Sequence, residues 1–190
     1  MNTESSHFKS KDFAIRAQKK ILSQFSSRKT AKVFISENLS TLLDLLYQLV
    51  KTHTSDKKVA EKFVKNLIKL SIKIGILTQN EQFSPEEVKI ASNFAEKFRT
   101  IAMTIASFSE VDFSYDQKFL LSAIDHCELQ ITSLVKNHLT EKSINRINFL
   151  ATQLRDPALL DAAFNKGTQQ NQIMVKIVDE INVALDRGDL

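Results

Sequence analysis

Apolar residues recur along this chain every three or four positions, the spacing that lines up one face of an α-helix. The first such stretch covers about 11–25. There Ala14, Ala17, Ile21 and Phe25 share a face flanked by Leu22, and Arg16, Lys19, Lys20 and Ser23 lie opposite. It reads as a short amphipathic helix with a cationic back, broken by Ser26-Ser27-Arg28-Lys29. A helix over about 40–53 follows. Leu39, Leu42, Leu43, Leu45, Leu46, Leu49 and Val50 make it apolar around most of its circumference, which predicts a central position.

The helix over about 57–77 opens after the turn-and-cap run Thr54-Ser55-Asp56. Its lysines Lys58, Lys62, Lys65, Lys69 and Lys73 fall on one stripe roughly 80° wide, with Glu61 the one acidic residue there. Val59, Phe63, Leu67, Leu70 and Ile74 form the opposite stripe, and Val64, Ile68 and Ile72 fill the flank beside the lysines. Like charges stacked at i,i+4 cost a few tenths of a kcal/mol per pair. The stripe is either a solvated face or a functional one, and the pattern leaves both open.

Ser84-Pro85-Glu86-Glu87 is a strong helix start: a Ser cap, Pro in the first position and Glu three residues after the cap. The helix it opens reaches about Ser107 and is predicted to turn Val88, Ala91, Phe94, Phe98, Ile101, Ile105 and Phe108 inward. Val111-Asp112-Phe113 is a connector, Ser114-Tyr115-Asp116-Gln117 caps the next helix, and that helix runs to about Asn137 with Leu120, Ile124, Cys127, Ile131 and Leu134 facing in. Shorter helices follow over about 141–154 and from Asp156-Pro157 to about Asn165-Lys166-Gly167, and a last one covers about 169–186. The pattern amounts to about six body helices besides the N-terminal one, in a single body without internal repeats. In order, 1–10 is expected to be a flexible N-terminus, 11–28 a basic amphipathic helix and 29–190 the helical domain.

Composition strengthens the all-α reading. Gly and Pro together number 5 in 190 residues, where average usage would give about 23; tight-turned sheet proteins depend on those residues. The single cysteine cannot form an internal disulfide, and the polar first ten residues hold no apolar signal core. Charge changes the picture more. The chain carries a net +4, yet residues 1–32 alone set eight Lys and Arg against Glu4 and Asp12, a net +6. The excess therefore belongs to the arm, and such asymmetry points to an anionic partner.

Catalytic chemistry is hard to place. His7, His53, His126 and His138 show no metal-ligand spacing, and adjacent His126 and Cys127 diverge by about 100° on a helix. Cys127 falls on an apolar stripe and reads as a buried structural thiol. Glu86 and Glu87 serve a helix dipole better than acid–base work, and Asp112 reads as a turn residue. No phosphate loop fits three glycines. Neither an enzyme nor a metal or cofactor protein is expected, and aromatic residues do not interleave with the basic ones as nucleic-acid stacking requires.

Several colinear stretches resemble the tumour-necrosis-factor-alpha-induced protein 8 (TIPE) family: residues 11–23 (KDFAIRAQKKILS), 43–47 (LDLLY), 65–69 (KNLIK), 102–116 (AMTIASFSEVDFSYD), 139–148 (LTEKSINRIN) and 185–190 (LDRGDL). The resemblance implies a six-helix, death-effector-domain-like bundle of altered topology around a central apolar cavity that accepts phospholipid tails. It implies a cytoplasmic protein, transiently at the inner membrane surface, that binds and transfers phosphoinositides in the regulation of cell survival and inflammation. Protein partners in survival signalling, or an adaptor role without lipid transfer, are the other reading. The family's paired lysines match Lys19 and Lys20, the basic residue after that helix matches Arg28, and Lys97 and Arg99 match basic positions near the cavity mouth; with Arg16 these are the expected headgroup-binding residues. Gln79 and Ala95 stand where some members are basic, and Phe164-Asn165-Lys166 replaces a Tyr-Gly-Pro.

Overall fold

The caps foreseen in the sequence set the element boundaries. Asp56 accepts hydrogen bonds from the backbone N–H groups of Lys58 and Val59 at 2.7 and 3.3 Å, and Asp116 accepts from that of Phe119 at 3.0 Å. Ser84 and Glu87 close a reciprocal capping box at 2.9 and 3.2 Å. Gly188 ends the last helix in the left-handed conformation, φ 72°, where a residue without a Cβ is unstrained.

The structure, a computed structural model, describes residues 8–22, 37–111 and 114–189. Among these it is all-helical: α1 (Ser10–Leu22), α2 (Glu37–Thr54), α3 (Lys57–Gln79), α4 (Pro85–Glu110), α5 (Gln117–Val135), α6 (Glu141–Leu154), α7 (Pro157–Phe164) and α8 (Gln169–Arg187). Among the described residues the body thus has seven helices, α7 at the Asp156-Pro157 start that the sequence marks, so the stretches themselves are matched and only the total of about six is one short. Asp112, and the end of the first predicted helix beyond Leu22, lie outside the described residues.

Two apolar cores flank the central α2. One joins α1, α2, α3, the end of α5 and α6 through Ala14, Tyr47, Phe63, Val64, Val135 and Ile147. The other joins α2, α4, α7 and α8 through Leu49, Ala106, Leu159, Ile173 and Ile177. Leu46 packs against both, as the nearly all-round apolar surface of α2 leads one to expect. At the junction of α4, α5 and α7, Phe108 meets Tyr115, Phe119 and Phe164 edge-on at about 6 Å between centroids. Tyr115 donates to Asp161 Oδ1 at 2.9 Å.

Two expectations need correcting, on α4 and at Cys127, and the burial along α3 adds a detail that the pattern leaves open. On α4, Val88 and Phe98 are not turned into a core: they are 54% and 44% exposed, because α4 packs on α8 and α5 while its first turns run past the second core. On α3, the flank residues Val64, Ile68 and Ile72 are buried more deeply than Val59, Leu67 and Ile74 of the opposite stripe, because α1, α2 and α6 all pack against this helix. Cys127 is half-buried rather than enclosed, since it belongs to the part of α5 that faces the open stretch of α4.

Candidate functional site

The arm helix is fastened at its start. Ser10 is fully buried; its backbone N–H donates to Asp44 Oδ1 at 3.0 Å and its hydroxyl to the carbonyl of Ser40 at 3.1 Å, both on α2. Ala14 and Ala17 face the first core, as their spacing predicts. Phe8 stacks on Tyr47 at 5.1 Å, and Phe8 and Phe13 lie over the lysine stripe. The Lys65 ammonium sits 5.5 and 5.7 Å from their two centroids, and that of Lys69 sits 5.6 Å from Phe13. A cation over an aromatic face is attracted by the ring quadrupole, so α1 covers part of the stripe instead of leaving it to solvent.

Lys62, Lys65 and Lys73 have partners as well, while Lys58 at the start of the stripe is exposed. Lys65 pairs with Glu61 Oε2 at 2.7 Å, Lys62 lies 4.2 Å from the Phe149 centroid, and Lys73 donates to Ser143 Oγ at 2.9 Å. Burial, with Arg146, Lys142 and Lys69 nearby, pushes the Lys73 ammonium below its ordinary range. Lys65, Lys69 and Lys73 are half-buried, while Lys58 and Lys62 remain exposed, so only the later part of the stripe departs from a solvated face. Sequence reasoning found the stripe but missed Phe8, Ser143 and Arg146 as its neighbours, since nothing local announces that α1 and α6 pack on either side of α3.

The expected headgroup residues form two groups. Arg16 is exposed on α1, its Nε donating to the carbonyl of Asp12 at 3.2 Å. Lys19 and Lys20 belong to the same helix; their side chains, like Arg28 as a whole, lie outside the described residues. Lys97 and Arg99 are exposed on α4. Because α1 packs on α2 and α3 whereas α4 packs on α5 and α8, Arg16 and the Lys97–Arg99 pair stand on helices that belong to different parts of the described packing. At about 100° per residue, Lys97 and Arg99 project to either side of Phe98. Phe98 stacks on Phe94 at 5.8 Å, so an apolar ridge on α4 has a cation on each flank. Across from it, burial pushes the Cys127 thiol up, against a smaller opposing effect of Lys97, which makes it a poor nucleophile. Gln79 and Ala95, the positions where some family members are basic, are both exposed.

Other polar clusters serve architecture. The Glu87 carboxylate accepts the Ser84 N–H and contacts His138 Nε2 at 2.9 Å, with Asn137 donating at 3.4 Å. These contacts tie the start of α4 to the end of α5. His53 Nε2 meets Asp156 Oδ2 at 2.7 Å at the rim of a cleft of about 290 Å³ between α2, the end of α6 and the start of α7. Among the described residues no group of His, Cys, Asp and Glu is arranged to hold a metal ion, and no helix is long and apolar enough to cross a membrane.

Fold and surface together define a single-domain all-α protein whose cationic first helix lies on the body and whose longest helix presents an open apolar face. Within that class the family is plain: the model of the family described as tumor necrosis factor alpha-induced protein 8-like matches residues 8–188, and the chain belongs to it. It is 45% identical to the protein salivary glands marred of Drosophila melanogaster over 96% of this chain and 97% of that one. It is 44% identical to a tumor necrosis factor alpha-induced protein 8-like protein of Drosophila pseudoobscura over the same shares. Tumor necrosis factor alpha-induced protein 8 of Gallus gallus is 37% identical, also over 96% and 97%.

Proposed function

We propose that this protein binds phospholipids with phosphorylated headgroups, phosphoinositides above all, and carries them between membranes as a non-catalytic regulator of cell survival and inflammatory signalling. The observation that carries the reading lies on α4, where exposed Phe98 stacks on half-buried Phe94 between the cations Lys97 and Arg99, with Val88 also exposed nearer the helix start. An acyl chain laid there exchanges water for apolar contact at about 0.8 kcal/mol per buried CH₂. Half-buried Ile124, Cys127 and Ile131 of α5 extend the same apolar character. The headgroup would meet Lys97 and Arg99, and the membrane would be approached through Arg16, Lys19, Lys20 and Arg28 of the basic arm. Each such residue near an anionic bilayer contributes about 1 kcal/mol, enough together for reversible attachment from the cytoplasm to the inner membrane surface. Membership of the family supports the cellular role.

The arm provides the test. Lys19→Gln with Lys20→Gln is expected to weaken binding to phosphoinositide liposomes by on the order of 2 kcal/mol, roughly thirtyfold at low salt, with the difference shrinking as salt rises. Co-sedimentation at two salt concentrations measures it, with circular dichroism to verify the fold. Equal sedimentation of variant and wild type at low salt would remove these lysines from the reading and favour an adaptor that works through protein partners.

A further inference from the structure

The α3 lysines have different surroundings along the stripe. Lys62 and Lys69 lie over aromatic rings and Lys65 meets a carboxylate. Lys73, at the far end, meets a hydroxyl and more cations. Its ammonium and the Arg146 guanidinium both donate to Ser143 Oγ, at 2.9 and 3.4 Å, and Ser143 is fully buried. Lys142 stands beside them, and the charges acting on Lys73 are those of Arg146, Lys142 and Lys69, all positive. No described carboxylate forms an ion pair with Lys73, Lys142 or Arg146, Glu141 of the same turn included.

Local backbone adds to this field. Lys142 and Ser143 lie in the first turn of α6, whose N-cap, Thr140, makes no side-chain capping hydrogen bond. The Ser143 N–H already donates to the Thr140 carbonyl at 2.7 Å, so the leading N–H groups that point out of the helix are those of Glu141 and Lys142, where the helix dipole places partial positive charge. Cations this close, around one hydroxyl and without a counter-charge, repel one another unless an anion joins them. The anion that fits has several oxygens, to take an ammonium, a guanidinium and backbone N–H groups at once.

We propose that the start of α6 and the end of the α3 stripe form a binding site for a phosphate monoester, walled by Lys73, Lys142 and Arg146. The start of α6 adjoins the start of α4 through the Glu87–His138 contact, but the site rests on the charges around Ser143 and not on the lipid-tail reading. The ester could be free or the headgroup of a lipid, and the two sources share the same chemistry at these residues.

The test uses the full chain, with soluble inositol trisphosphate in one arm and, in the other, phosphatidylcholine vesicles with and without a phosphoinositide. Binding of the soluble ester should shift the amide NMR signals of Glu141 and Lys142. Lys142→Gln with Arg146→Gln should weaken it by about tenfold or more, and Arg146→Lys, which keeps the charge, should lose less. Both side chains reach solvent, and circular dichroism verifies that the variants fold. Weakening in the soluble arm alone assigns a free phosphate ester; weakening in the vesicle arm as well assigns a lipid headgroup. Unchanged affinity of the double variant in both arms, or amide shifts confined to other helices, overturns the site.

Discussion

Glu87 shows how much one side chain can carry. The sequence marks it as the third residue of a capping box, and it is; what the sequence does not reveal is that the same carboxylate reaches His138 and Asn137, fifty residues on, because only the packed fold brings the end of α5 there. The Ser84 backbone N–H, the His138 hydrogen bond and the Asn137 amide together hold its pKa down to about 2, against about 4.3 in an unfolded chain. A depressed carboxylate pKa stabilises the fold fully above the unfolded value and loses that contribution as pH falls through the folded one. The contribution of Glu87 should therefore fade between about pH 4.3 and about pH 2. Glu87→Gln should lower the urea midpoint at pH 7 and flatten this part of the acid transition. Unfolding curves at pH 7, 4 and 2.5 check both effects; parallel pH profiles for variant and wild type would contradict the assignment.

At the scale of the element, the helices were largely legible. Periodicity and caps located every described helix, since Asp, Ser and Pro at helix starts act within a turn of where they stand. Faces were less legible. Val88 and Phe98 continue the apolar stripe of α4, and periodicity has no means of telling a face that meets a partner helix from one that runs beyond it. The lysine stripe presents the converse case: unopposed like charges suggested a special surface, but its covering by α1 depends on Phe8 and Phe13, remote in sequence. This covering is testable. Phe13→Ala removes a ring shared by Lys65 and Lys69, contacts worth about 0.5–1 kcal/mol each. Amide exchange in α1 should quicken roughly five- to thirtyfold while α2 and α3 keep their protection. Exchange unchanged in α1 would show that Ser10 and the buried alanines hold the helix without the rings.

For the whole molecule, the arrangement of two cores around α2 matters most. Neither core incorporates Phe94 or Phe98 of α4, and the open apolar surface there is the feature that a lipid tail or another apolar partner would complete. Of the expected headgroup residues, the sequence could supply identities and the family resemblance their roles, but not the placing of α1 and α4 in different parts of the described packing, which follows from which helices pack together. Phe98→Asp should change stability by no more than about 0.5 kcal/mol, as befits an exposed position, yet it places a charge where an acyl chain would lie. Transfer of fluorescent phosphoinositide between vesicles should fall at least several-fold at unchanged thermal midpoint. Undiminished transfer would move the acyl site away from this ridge.

Native mass spectrometry of the gently purified protein tests the central claim, that this fold carries phospholipid, most directly. A population heavier than the 21.6 kDa chain by the mass of one phospholipid, and released as such on collisional activation, is the predicted result. Preparations that contain only the bare chain, including those incubated with phosphoinositide vesicles and then separated from them, would contradict it.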